Sequence, residues 1–312
     1  MPGIFVFSED AALAKQLLTP ALKLKQSLSQ PVTAVSLSEA GAKDLAALGA
    51  DKVVALEPAN VWAEGLSEAI ASLLSTAGAT VFLVGGTLRG KHIAAYAAAK
   101  LGAGMSTDAK AVKIEGGKLL ATRLLYAGLA LCDEEVSLPA VVTIPARTFA
   151  APAAAATAGS VESLKVQPDG RVAISDFTEA GGSGVDISAA TKLVSVGRGF
   201  RKKEDLKLAE DLAGAFKAEL SCSRPVAEEE HWLPVARYVG ISGHLVKPDL
   251  YVAVGISGQV QHMVGARESK VIVAVNSDEH APIFENADYG IVGDLYEVLP
   301  LLTAAVRKNG GR

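Results

Sequence analysis

The chain has 312 residues, half of them hydrophobic, a formal net charge of −4 and only two cysteines. That length accommodates two cores of ordinary domain size rather than one. The near-balanced charge excludes binding to nucleic acid through bulk electrostatics, and no apolar run reaches the ~18 residues of a membrane span.

From residue 1 to about 100, strands and helices alternate. IFVF (4–7) precedes a helix over roughly 10–29, and VTAVSL (32–37) precedes a short one near 40–48. VVAL (53–56) leads into a helix near 61–76, and TVFLV (80–84) breaks at Gly85-Gly86 into a helix from about Lys91 to Lys100. Strands spaced by helices in this way predict a parallel sheet covered on both faces. Between 107 and 148 the rhythm changes. The Glu-Gly-Gly-Lys run inside AKAVKIEGGKLLATRLL is a hairpin signal, and VSLPAVVTIPARTF supplies a further strand, so this stretch is expected to be an antiparallel extension of the first domain. Residues 151–190 are expected to connect two domains, because AAPAAAATAG is of low complexity and GGSG (181–184) is a spacer composition.

The alternation then restarts: KLVSVG (192–197), a helix over 203–218, AELSCS (218–223), LYVAVG (250–255), a helix over 259–266, KVIVAVN (270–276), YGIVG (289–293) and a final helix over 295–307. The expected architecture is therefore α/β, with two doubly wound domains at 1–150 and 191–312, the first carrying the antiparallel segment and the second Rossmann-like. Ligands of open α/β sheets bind outside the carboxyl ends of the strands. In the second domain those ends read Gly197-Arg198-Gly199, Ser221-Cys222-Ser223-Arg224-Pro225, Gly255-Ile256-Ser257-Gly258, Asn276 and Gly293-Asp294, with Gly240-Ile241-Ser242-Gly243 in a further loop. Glycines and hydrogen-bonding side chains thus converge on one rim, and Arg198 and Arg224 suit a pyrophosphate or an electron-rich ring. A dinucleotide satisfies all of these features. No nucleophile–base pair, metal cluster or GxGxxG motif accompanies them, so the cofactor must carry the chemistry. Cys132 and Cys222 have no CxxC partner, and Cys222 reads as a small buried residue near the ligand rather than a redox thiol.

Residues 192–307 resemble the FAD domain of the electron transfer flavoprotein α subunit, and the whole chain resembles the Fix-type branch of that family. The motifs that carry the resemblance are VSVGRG (194–199), CSRPVAE (222–228), YVGISG (238–243), LYVAVGISGQVQHMVG (250–265) and APIFENADYGIVGD (281–294). The first domain matches more loosely through RGK (89–91), LGAGMSTD (101–108) and RLLYAGLAL (123–131). The resemblance implies FAD in the C-terminal domain, a β subunit carrying AMP or a second FAD, and dehydrogenases and a quinone oxidoreductase as redox partners. It also implies that Arg198, Ser223 and Arg224 contact FAD, and that Val239, Gly240, Ile241 and Ser242 line the flavin with the Ser242 hydroxyl near N5. Ser257, Gly258, Gln259, Val260, Gln261 and His262 would wrap the pyrophosphate and the pyrimidine edge, while Asn276, Asp294 and Leu295 would hold the adenosine end. Where many members have a glutamine, this chain has Ile241, which offers no side-chain hydrogen bond.

Reduction of the ring puts negative charge around N1 and the C2 carbonyl. A donor at His262 would stabilise that charge, by about 1.5–3 kcal/mol for a charge-assisted hydrogen bond. His92, His231, His244 and His280 are assigned no role. Gly85-Gly86-Thr87 with Arg89 and Lys91 resembles a phosphate loop but reads as structural or β-facing, and Tyr126 and Phe149 read as core or subunit-interface residues. The expected function is a redox carrier subunit. A self-contained FAD- or NAD-dependent oxidoreductase and a nucleotide-binding interaction protein are the alternatives. The opening MPGIFVFSED has no export signal, so the expected location is cytoplasmic, without direct membrane insertion.

Overall fold

The computed structural model describes residues 2–57, 62–171 and 186–310. Its contacts divide the chain into two compact units, Met1–Phe177 and Thr178–Arg312.

The first unit alternates β1 (Gly3–Phe7), α1 (Ala11–Leu28), β2 (Val32–Ser36), α2 (Glu39–Ala47), β3 (Lys52–Glu57), α3 (Ser67–Ala77), β4 (Ala79–Gly85), α4 (Leu88–Leu101) and β5 (Gly104–Ser106). Every residue of β1 and β2 is buried, as expected for strands covered on both faces of a parallel sheet. Local chemistry sets the helix ends. The Asp10 carboxylate accepts from the N–H groups of Ala12 and Leu13 to open α1, and Thr87 accepts from the Gly90 N–H to open α4. Gly85 and Gly86 belong to this packing. A Cβ on Gly86 would meet the Pro145 backbone at 2.9 Å, which supports the structural reading of that loop.

Three further strands, β6 (Ala109–Glu115), β7 (Lys118–Leu125) and β8 (Ala130–Val136), form the antiparallel sheet with the expected hairpin at Gly116-Gly117. Two expectations need correction. The strand after them, β9 (Ala140–Ile144), is not antiparallel: it lies between β4 and β5, parallel to both. Its unbroken burial, apolar except for Thr143, is the signature of an interior parallel strand. The stretch expected to be a connection contains β10 (Ser160–Lys165), which pairs in parallel along all of β3. Among the described residues the first sheet thus has seven strands in the order β10-β3-β2-β1-β4-β9-β5. The GGSG at 181–184 lies outside the described residues.

The second unit runs β11 (Lys192–Val196), α5 (Leu206–Phe216), β12 (Glu219–Cys222), a π-helical turn (Pro225–Glu229), β13 (Leu250–Val254), α6 (Val260–Ala266), β14 (Ile272–Asn276), β15 (Tyr289–Val292) and α7 (Leu295–Lys308). All its strand pairs are parallel, in the order β12-β11-β13-β14-β15. The strand period of two divides the core. Val194, Val196, Val252 and Val254 pack with Leu212 and Leu299 on the face of α5 and α7. Leu193, Tyr251, Ala253 and Ala274 pack with Met263 and Ala266 of α6 on the other. Each fully buried Val or Leu contributes about 1.5–3 kcal/mol of transfer free energy, which is what keeps the strand ends fixed. Connections leave in opposite directions from β11 and β13, so a crevice opens at their carboxyl ends, as at other topological switch points.

Candidate functional site

The crevice of the second unit is a cleft of about 670 Å³, within the ordinary range for small-molecule sites. Each of the five strands contributes to it through the loop at its carboxyl end. Fourteen of the sixteen residues singled out in the sequence line it: Arg198, Ser223, Arg224, Val239 to Ser242, Ser257, Gln259, Gln261, His262, Asn276, Asp294 and Leu295. Gly258 and Val260 do not line it. Gly258 is instead pressed against the backbone of Ile283 at a φ of +82°, where a Cβ would come within 2.3 Å of Ile283 Cα. It shapes the turn that presents Ser257 and Gln259.

That turn carries unused donors. The backbone N–H groups of Ser257, Gly258 and Gln259 find no partner among the described residues. The loop is held from below by Asn276, whose amide donates to the Ile256 carbonyl (3.0 Å) and accepts from the Asp278 N–H (3.0 Å). Asn276 therefore spends most of its hydrogen-bonding capacity on the site's own frame. The Val239–Ser242 loop is fixed at both ends. The Val239 N–H donates to the Cys222 carbonyl (2.9 Å) and the Ile241 N–H to the Gln261 carbonyl (2.8 Å), leaving the Ile241 side chain 57% exposed.

Arg198 stands at the rim with no ion pair among the described residues. Arg224 is bound to Glu228, Nε to Oε2 at 2.5 Å, one turn further along the π-helical segment; the sequence reading assigned Glu228 nothing. Asp294 caps α7 by accepting from the Tyr296 N–H at 2.9 Å. Beside it is a cluster that the sequence reading missed. The Tyr296 hydroxyl accepts from the Arg201 N–H (2.8 Å) and donates to Asp205 (2.6 Å), and the Arg201 guanidinium lies 5.0 Å from the Tyr296 ring. Arg201 and Tyr296 both line the cleft. The available signal was an arginine three residues beyond Arg198 and an aromatic two beyond a strand-end aspartate.

His262 is not a solvated helix residue but is buried at the cleft. Its Nε2 is 2.9 Å from the Tyr251 hydroxyl. Its Nδ1 has no partner in full hydrogen-bond geometry, although the Val239 backbone lies near enough to favour the protonated ring, against the main effect on its titration. That effect is desolvation, which lowers the imidazole pKa to about 4 and keeps the ring neutral at pH 7. Cys222 is buried too and its thiol is pushed up to about 12 by desolvation, which makes it inert. It packs in the core as the expected small buried residue, directly behind the cleft-lining Ser223 and Val239. Tyr126, expected to be core or interface, is 77% exposed and so is not core. Among the described residues no group of three His, Cys, Asp or Glu side chains could hold a metal ion.

The site therefore offers free backbone donors and an arginine for an anionic group, a glycine-lined apolar wall, and a neutral buried imidazole with an unpartnered nitrogen. These features fit a flavin dinucleotide. Comparison with known proteins agrees. A family model described as the electron transfer flavoprotein FAD-binding domain matches residues 186–267, and one described as the electron transfer flavoprotein domain matches residues 7–169. Protein FixB of Escherichia coli O127:H6 is 42% identical over 312 residues, covering 98% of both chains. Protein FixB of Shigella flexneri is 42% identical over 311 residues with the same coverage.

Proposed function

The chain belongs to the electron transfer flavoprotein family and carries its FAD-binding domain, and from that premise we propose that it is the α subunit of a heterodimeric electron carrier. The bound FAD supplies the one-electron chemistry. The residues of the cleft bind and tune it. Arg198 and the free N–H groups of Ser257, Gly258 and Gln259 would take the pyrophosphate. The Val239–Ser242 loop would cover one face of the ring, with Ile241 excluding water and the Ser242 hydroxyl available at its edge. Arg224, held by Glu228, would add positive charge beside the ring, and His262 would offer a neutral donor. Asn276, Asp294 and Leu295 would frame the adenosine end, joined by Arg201 and Tyr296.

In this reading a β subunit carrying AMP or a second FAD docks on the first unit. The turn between β7 and β8 with the start of β8, where Leu129 and Leu131 are each 71% exposed and Tyr126 is 77% exposed, supports that docking. Dehydrogenases would deliver electrons and a quinone-linked or low-potential acceptor would receive them, in the cytoplasm. No helix among the described residues is long and apolar enough to cross a membrane.

The observation that carries the proposal is a buried His262 beside a glycine turn with free backbone donors, in a strand-end cleft. The test is to purify the chain alone and co-expressed with its β-type partner, and to measure flavin per heterodimer and its stepwise reduction. One FAD per α chain, reduced one electron at a time, is expected. A preparation with no flavin in either state overturns the reading, and substrate turnover without β would favour a self-contained oxidoreductase.

A further inference from the structure

Among the described residues Tyr251 is the largest fully buried side chain, and it sits in a strand that is otherwise apolar. A phenol in that position needs a polar partner. It faces the same side of the sheet as Ala253 and packs with the α6 residues Met263 and Ala266. Its hydroxyl reaches His262 Nε2 at 2.9 Å, with the two rings tilted by 49° at a centroid distance of 6.1 Å, so the contact is a hydrogen bond and not a stack. On the neighbouring strand β11 and on β12 beyond it, Ser195 and Ser221 are directly paired in register and fully buried. Both hydroxyls lie near the phenol and favour its oxygen as an acceptor, though neither reaches full hydrogen-bond geometry and neither has another partner.

Resting on the FAD reading of this cleft, we propose that Tyr251 is a positioning residue that holds His262 in its Nδ1-protonated tautomer. The phenol has one proton to give, and His262 Nε2 at 2.9 Å is the one acceptor among the described residues that its hydroxyl reaches. A neutral imidazole that accepts at Nε2 carries its hydrogen on Nδ1. Nδ1–H is then the only N–H that the ring can offer, and it is the nitrogen left without a partner. In the opposite tautomer Nε2–H would donate to the phenol, and Nδ1 would be a bare acceptor, useless to a carbonyl or to developing negative charge. Tyr251 thus determines whether His262 donates or accepts, without touching the ligand.

The test is a two-bond ¹H–¹⁵N correlation spectrum of the flavin-free chain at pH 7, with the His262 signals identified by their loss in His262→Gln. The wild-type chain should show a pyridine-type Nε2 and a pyrrole-type Nδ1. Tyr251→Phe should move the tautomer ratio about fivefold toward Nε2–H, the effect of one ordinary hydrogen bond. A pyrrole-type Nε2 in the wild type, or an unchanged ratio in Tyr251→Phe, overturns the proposal, and the wild-type spectrum decides even if the variant does not fold. FAD stoichiometry measured on the same wild-type preparation separates the two readings. Bound FAD with the wrong tautomer removes Tyr251's role and leaves the function standing, whereas the expected tautomer in a chain that binds no FAD does the reverse.

Discussion

Arg224 and Glu228 form a 2.5 Å ion pair along one turn of the π-helical segment, with the arginine side chain 64% and the glutamate 34% exposed. The guanidinium is therefore oriented before any ligand arrives but remains screened by water. Arg224→Ala should lower the flavin potential, and Glu228→Gln should raise it by removing the opposing charge. For an exposed pair the shifts should be tens of millivolts, since about 59 mV corresponds to a tenfold change for one electron. Spectroelectrochemical titration of the heterodimer measures both. Potentials that stay put in both variants would remove Arg224 from the flavin's surroundings.

Gly258 carries a backbone constraint that no other residue can meet. At a φ of +82°, with Ile283 filling the space where a Cβ would go, Gly258→Ala should destabilise the second unit by about 2 kcal/mol or more. Thermal unfolding monitored by circular dichroism should show a lower midpoint, accompanied by weaker FAD retention. A variant with wild-type stability would mean that the turn can be rebuilt around a side chain.

His262 makes stability depend on pH in a definite direction. An unfolded histidine titrates near 6.5, whereas the folded one resists protonation until about 4. Between those values the unfolded state binds more protons, so stability falls as pH drops from about 6.5 to about 4, then levels off. The accumulated loss is on the order of 3 kcal/mol. Urea unfolding at pH 7.5 and pH 4.5 should reveal this loss in the wild-type chain and a smaller one in His262→Gln. Equal pH dependence in both would place the imidazole in a wetter environment.

Asn276 frames the site more than it recognises a ligand, because its amide ties Ile256 to Asp278. Asn276→Ala should weaken FAD affinity about tenfold, the loss expected from roughly one hydrogen bond and a looser loop. Asn276→Asp should preserve the acceptor half and lose the tie to Ile256. Isothermal titration of the flavin-depleted chain with FAD would compare them, and unchanged affinity in both variants would separate this side chain from the cleft's construction.

Much of this architecture is legible in the residues themselves. Apolar runs such as LYVAV and IVAVN can be read as interior parallel strands, and the small or hydrogen-bonding residues that end them locate the cleft before any coordinates. Less legible is what depends on partners distant in sequence. Ser160–Lys165 has no buried residue and its two apolar side chains, Val161 and Leu164, lie three apart, so only its pairing with β3 makes it a strand. Glu228 is one of three consecutive glutamates, and nothing local distinguishes the one that meets Arg224. Tyr251 looks like another core aromatic, and its hydroxyl acquires meaning only when α6 brings His262 back over the sheet.

The pairing of β10 with β3 has a practical consequence for dissecting the chain. A fragment ended at residue 150, where composition suggests a boundary, would discard β10 and expose the ladder of β3, whose central residues Val53 to Leu56 are all buried. An unpaired strand of that kind is a template for association with other copies. The first unit should therefore be expressed through at least Lys165, and fragments cut shorter should come out of solution as aggregates.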